Sequence, residues 1–261
     1  MNWFRMFSLG TLLLLLVPVV FLVAEGLGPL RSSAGYSLNV FKSIELTLIS
    51  SAVASIACAI VFTPLAFFFA RNDSKVGETL ADIPASIPHP IIGVAILVLF
   101  SPLTPFGRFM VSIGIDVFDT FTGLVLALTL ISAPIYIKSV EPFFQSMNRS
   151  AEHYAQGLGA GKFRTFVSVV LPSSRKGILN ASLISMSRAM SEFGSIAIVA
   201  YELISPKAFF GTSPASVQIY NLFTENGIQP AATASAVMIL FSIAIMIGLR
   251  LFASRIGGRA N

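Results

Sequence analysis

The chain has 261 residues, of which 55% are hydrophobic and 11% charged, far below the roughly 25% charged residues of a soluble domain. Apolar runs of about 20 residues recur, each long enough to cross a bilayer as a helix, and one soluble core cannot hide them all. A soluble all-α protein is therefore set aside, and the net charge of +5 is read as loop orientation in a membrane protein rather than a nucleic-acid surface.

Six membrane helices are expected in one polytopic, all-α membrane domain covering residues 1–261. The first covers about Phe7 to Leu27. Its run from Thr11 to Ala24 follows Arg5 in the manner of a signal peptide but is read as an uncleaved span. A Gly- and Ser-rich loop, Gly28 to Val40, leads to the second helix, about Ile44 to Ala70. That helix carries Thr47, Ser50, Ser51, Ser55 and Ala59, small residues that let helices pack closely in lipid, and Pro64 is a potential kink. Cys58 is the one cysteine of the chain; it sits in this apolar run, cannot pair within the chain, and offers no metal-site spacing.

Arg71 to Ser86 reads as a polar stretch of mixed charge. The third helix, about Ile87 to Leu103, is short and starts among Pro84, Pro88 and Pro90, as in a segment that lines a cavity. His89 in this cluster is read as a helix-end hydrogen-bonding residue. A loop from Ser101 to Phe121 precedes the fourth helix, about Thr122 to Ile137. The basic stretch Lys138 to Lys176 follows, then the fifth helix, about Gly177 to Tyr201. A loop with Pro206, Gly211 and Pro214 contains a short surface helix near Val217 to Phe223. The sixth span is about Ala231 to Phe252, and a basic tail ends the sequence.

Arg5, Arg71, Lys75, Lys138, Arg149, Lys162, Arg164, Arg175, Lys176, Arg250, Arg255 and Arg259 fall on one side of this topology. Arg31, Lys42, Arg108 and Lys207 fall on the other. The positive-inside rule places the first group and both termini in the cytoplasm, of a cell or inner membrane, with lipid as the surroundings.

Within the basic stretch, Ala151 to Pro172 reads AEHYAQGLGAGKFRTFVSVVLP. Ser150 is a good N-cap, and Glu152 suits the positive end of a first turn. The run through Leu158 forms about two helical turns. Gly159 and Gly161 allow a left-handed exit, and Pro172 marks a break. The pattern predicts a short helix held at a membrane face and suited to a groove on another protein.

Arg188 and Glu192 are the charges inside the fifth helix. Each costs roughly 3 kcal/mol at membrane depth, so both should face the protein interior. Their i,i+4 spacing lets them neutralise each other. Two readings stand: a structural pair, or an anion path in which Arg188 supplies positive potential, Glu192 orients it, and Gly194 permits close backbone approach. The sequence holds no nucleotide-binding Gly-x-x-x-x-Gly-Lys-Ser/Thr loop, no His-Glu-x-x-His and no Gly-x-Ser-x-Gly. Neither an enzyme nor a metal site is expected.

The stretch after Ser150 resembles the cytoplasmic EAA loop of ATP-binding-cassette (ABC) importer permeases. Leu158-Gly159-Ala160, Phe166 and Leu171-Pro172 match it in type and spacing. Counting back from Gly159 puts His153, Tyr154 and Ala155 at the Glu-Ala-Ala positions, with Glu152 one position early. The stretches IPASIPHPIIG (residues 83–93) and RAMSEFG (residues 188–194) resemble the permease subunits for tetrahedral oxyanions: molybdate and tungstate first, then sulfate. The resemblance spans about residues 43–255.

It implies a homodimer around a central path and two cytoplasmic ABC ATPase subunits that bind ATP and Mg. An extracytoplasmic oxyanion-binding protein would dock on the outer face, and nucleic acid has no part. Glu152, His153, Tyr154, Ala155, Leu158, Gly159, Ala160, Phe166 and Pro172 would couple to the ATPase. Arg188, Glu192, Phe193 and Gly194 are the candidates for the path, and alternating access is the implied mechanism. An ion-coupled secondary transporter, which would favour intramembrane carboxylates, is the rival; a channel would need a ring or filter pattern that the sequence does not offer.

Overall fold

A computed structural model describes residues 2–72 and 74–258, with side chains described from Trp3 to Leu251. The placement expected for Arg259, and for the Arg255 side chain, lies outside the described residues. Where described, the chain is helical, with only two isolated β-bridges, Thr120 to Ser205 and Leu203 to Thr212, as an all-α membrane protein requires.

The first helix, α1, covers Asn2–Leu27, and a 3₁₀ turn at Ser33–Tyr36 leads into α2, Leu38–Arg71. Ser37 caps α2, its hydroxyl accepting from the Val40 N–H, and α2 runs through Pro64 without a break. The polar stretch of mixed charge is largely α3, Lys75–Ser86. Its charges fall on one face of an amphipathic helix, and Asp82 pairs with Lys138 at 2.7 Å. The third expected span, about Ile87 to Leu103, is a shorter helix entered through a sharp bend. The chain bends by 101° between α3 and α4, His89–Phe100, because Pro88 has no N–H and disfavours helix at Ile87 before it. The next loop holds α5, Pro105–Ser112, with Thr104 accepting from the Gly107 N–H and Pro105 in the first turn.

Then come α6, Phe121–Ser146, and α7, Ser150–Gly157. A second helical run follows: α8, Lys162–Thr165, a π-helical turn at Phe166–Val170, and α9, Leu171–Ser173. Pro172 does not break it. The preceding turn is wide, with the Leu171 N–H reaching the Phe166 carbonyl, and the chain turns only at Ser174.

The fifth expected span is two pieces, α10 (Arg175–Met190) and the short α11 (Ile196–Val199). α12 (Ala215–Asn226) and α13 (Ile228–Gly258) complete the chain. Among the described residues, four helices are long and apolar enough to cross a membrane, five if the bent α3–α4 pair counts as one. The six expected spans are thus not all long and continuous: α4, in place of the third, has 12 residues, and the fifth is cut after 16.

The centre of the molecule is a trio of α2, α6 and α10. The small polar residues of α2 make their close approach possible. The Ser55 hydroxyl donates to the Ser182 carbonyl at 2.6 Å and receives one from Ser185 at 3.3 Å, while Thr63 and Tyr136 share a hydrogen bond of 2.6 Å. Leu46, Ala54, Leu124, Leu128 and Ile131 form one apolar core with Ile96, Ile196 and Val199. α1 lies outside this trio and meets α13 where a Cβ on Gly26 would stand 2.4 Å from the Ala232 carbonyl oxygen, a contact that only glycine allows.

Candidate functional site

Two groups of side chains lie outside ordinary helix packing. The first is α7. Ser150 opens it but is not its N-cap: its N–H and hydroxyl both donate to the Asn148 side-chain oxygen, at 2.9 and 2.8 Å. The helix ends in a Schellman motif. The Ala160 N–H reaches the Ala155 carbonyl at 3.0 Å and the Gly159 N–H reaches Gln156 at 2.9 Å. Gly159 has φ +88°, as expected. Gly161 does not: its φ of −64° is ordinary extended backbone.

Glu152 is the one buried residue of α7. Its carboxylate accepts from Arg71, with Nη2 to Oε1 at 2.6 Å and Nε to Oε2 at 3.4 Å. Arg71 Nη1 also donates to the Phe144 carbonyl at 2.6 Å, at the end of α6 where free carbonyls favour a cation. The guanidinium lies 5.1 Å from the Phe67 ring centroid, and that ring packs on Phe144 and Phe166 at 5.5 and 5.2 Å. Phe166 is therefore a half-buried wedge beneath α7. Outward point His153, Tyr154 and Leu158, the last 90% exposed, with Phe163 beyond them. Ala155 and Ala160 are half-buried, and Pro172 is exposed.

The second group sits where the two interrupted helices meet. α10 ends at Met190, and the Glu192 side chain folds back on its own backbone. Its Oε1 accepts from the Ser195 N–H at 2.9 Å and the Ser195 hydroxyl at 3.2 Å, as a capping side chain does. Its Oε2 accepts from Arg188 Nη2 at 2.9 Å. His89, at the start of α4, brings Nδ1 within 3.0 Å of the same oxygen. Arg188 Nη2 is 2.9 Å from His89 Nδ1 and 3.0 Å from Nε2. Arg188 Nη2 is thus nearly equidistant from the two ring nitrogens, with the Glu192 carboxylate on the Nδ1 side.

Glu192 is 1% exposed, Arg188 18% and His89 33%, so the carboxylate is sealed and the two nitrogenous groups form the rim. The backbones close in beside them. A Cβ on Gly194 would stand 2.9 Å from Pro90 Cδ, and one on Gly93 would stand 2.8 Å from the Ser195 carbonyl oxygen.

The structure therefore brings Arg188, Glu192 and Gly194 together, and adds His89, which sequence reading took only for a helix-end residue. Phe193 turns away: its ring packs on Tyr220 at 5.3 Å and lines an apolar cavity of about 520 Å³ between α1, α12 and α13. Arg71 was missed as a site residue because its position at the end of a span explains an arginine without further function. Among the described residues no cluster of ligating side chains could hold a metal.

Residues 63–258 match the family described as "Binding-protein-dependent transport system inner membrane component". The chain is 30% identical to the molybdate/tungstate transport system permease protein WtpB of Pyrococcus furiosus, over 83% of this chain and 79% of that protein. It is 31% identical to the protein of that name from Methanocaldococcus jannaschii, over 85% and 84%. The sulfate transport system permease protein CysT of Salmonella typhimurium is 25% identical over 97% and 93%. The fold is that of a chain in the crystal structure of a bacterial alginate ABC transporter, with a TM-score of 0.64 at 15% identity over 99% of this chain and 95% of that one. The chain belongs to the family of binding-protein-dependent transport system inner membrane components, the permease subunits of ABC importers.

Proposed function

We propose that two copies of this chain enclose a path for a tetrahedral oxyanion, molybdate or tungstate. The path is fed by a binding protein on one face and driven by two ABC ATPase subunits docked on the face that carries α7. That face is cytoplasmic, and both termini lie on it. What carries the substrate class is the likeness to molybdate/tungstate permeases at 30 and 31% identity over most of the chain. The sealed ion cluster fits that reading. A dianion crossing lipid needs positive potential along its way, and Arg188 supplies it at the rim, beside His89, while the negative charge of Glu192 is turned inward. Sulfate is the second reading, favoured by the likeness to CysT over nearly the whole chain.

His153, Tyr154 and Leu158 form the surface offered to the ATPase. Gly159 sets its exit angle, Ala155 and Ala160 its packed flank, and Glu152, Phe166 and Pro172 its foundation. ATP binding draws the two ATPases together and moves the α7 helices with them, which biases the permease between two states.

The test is uptake of labelled molybdate, tungstate and sulfate by vesicles holding the permease, its ATPase and its binding protein. ATP-dependent uptake of molybdate or tungstate, with sulfate a poor competitor, is expected. Uptake driven by an ion gradient without nucleotide would overturn the mechanism, and preferential sulfate uptake would reverse the choice of anion. Arg188→Ala should lower uptake at least tenfold while leaving assembly intact; unchanged uptake would make the cluster purely structural.

A further inference from the structure

The short helix α7 is joined to the rest of the molecule by one buried side chain, and that side chain is charged. Glu152 alone among its residues is buried, and the carboxylate is held at both oxygens by Arg71, each side chain only 11% exposed. Arg71 is the last residue of α2. Its remaining nitrogen is fixed on the Phe144 carbonyl of α6, and its plane rests on Phe67. A single guanidinium therefore ties three elements, α2, α6 and α7, at one point. The outward face of α7 makes no part of this tie.

We propose that the Arg71–Glu152 pair is the link that carries movement of α7 into the membrane helices, so that Arg71 and Glu152 are positioning residues for transport rather than contacts with the ATPase. A bidentate guanidinium–carboxylate pair is directional as well as strong, and it transmits a displacement that a loose apolar contact would absorb. Docking and transmission then reside in different residues of the same short helix: docking in exposed His153, Tyr154 and Leu158, transmission in Glu152. This division rests on the reading of α7 as the ATPase docking helix.

The experiment uses the whole complex in vesicles, with the anion among molybdate, tungstate and sulfate that the unmodified complex takes up. Three quantities are read: ATPase retained on purification, ATP hydrolysed, and anion taken up. Glu152→Gln and Arg71→Met should retain the ATPase and continue to hydrolyse ATP, while ATP consumed per anion rises about tenfold. Arg71→Lys, which keeps the charge but loses the fork, should fall between. Exchange of the two charges, Arg71→Glu with Glu152→Arg, should recover part of the ratio.

An unchanged ratio in both single variants overturns the proposal, as does loss of the ATPase from Glu152→Gln, which would make Glu152 a docking contact. A pair that only stabilises the fold would lower yield and melting temperature and leave the ratio where it was. Failure of the docking reading itself would show separately, as an unmodified complex that does not hold the ATPase through α7.

Discussion

The sealed carboxylate of Glu192 accepts two bonds from Ser195 and one from Arg188, and His89 Nδ1 stands 3.0 Å from the oxygen that Arg188 holds. Replacing it with alanine leaves the buried Ser195 N–H without its partner and the half-buried Arg188 guanidinium without its counter-charge. Losing one member of a buried pair costs about 3–5 kcal/mol, so Glu192→Ala should lower the melting temperature of the purified permease by several degrees, read in detergent by thermal unfolding. Gly194 is limited in another way. The Cβ of an alanine there would press on Pro90 at 2.9 Å, and overpacking of this kind costs about 1–3 kcal/mol. Gly194→Ala should destabilise measurably and Gly194→Val more, whereas Gly157→Ala, with nothing near its Cβ, should be silent by the same measurement.

Among the elements, α7 shows most plainly what a sequence can and cannot say. Its existence, its two-turn length and its glycine exit were legible, since Gly159 takes the left-handed conformation that ends a helix in this way. The side of the helix on which Glu152 falls was not, because its partner lies 81 residues away. The break after Met190 was hidden for a related reason. SRAMSEFG has no proline, and the helix stops because Glu192 bonds to its own backbone three residues on, a competition that helical spacing does not reveal. His89 and Arg188 are 99 residues apart, so their meeting had no local signal. The helix α5 did have one, Thr104 followed by Pro105, a cap with a first-turn proline, inside a stretch read as loop. At this scale Gly159→Val should strain a φ of +88° by about 1–2 kcal/mol and disturb the exit from α7. The ATPase recovered on copurification should drop severalfold, while Gly161→Val, at an ordinary φ, should leave it unchanged.

For the whole molecule, the apolar runs prescribed membrane-crossing helices but not which of them run unbroken, because length and apolarity alone do not tell a straight span from a bent or severed one. The charge asymmetry makes a stronger claim, on orientation. Leu158 and Leu103 are both 90% exposed and lie at opposite ends of this topology. Cysteine introduced at each in turn should react with a membrane-impermeant maleimide from opposite sides, residue 158 only from the cytoplasm and residue 103 only from outside. Cys58, fully buried, should contribute no background. Labelling of both from one side would invert or break the arrangement.

A hinge needs slack, and there is none where Gly194 lies against Pro90 and Gly93 against the Ser195 carbonyl. The severed and the bent helix are locked to each other like crossed fingers. A displacement of either one is therefore expected to carry the other with it, and the test is the Gly194→Ala variant, which should disturb both at once.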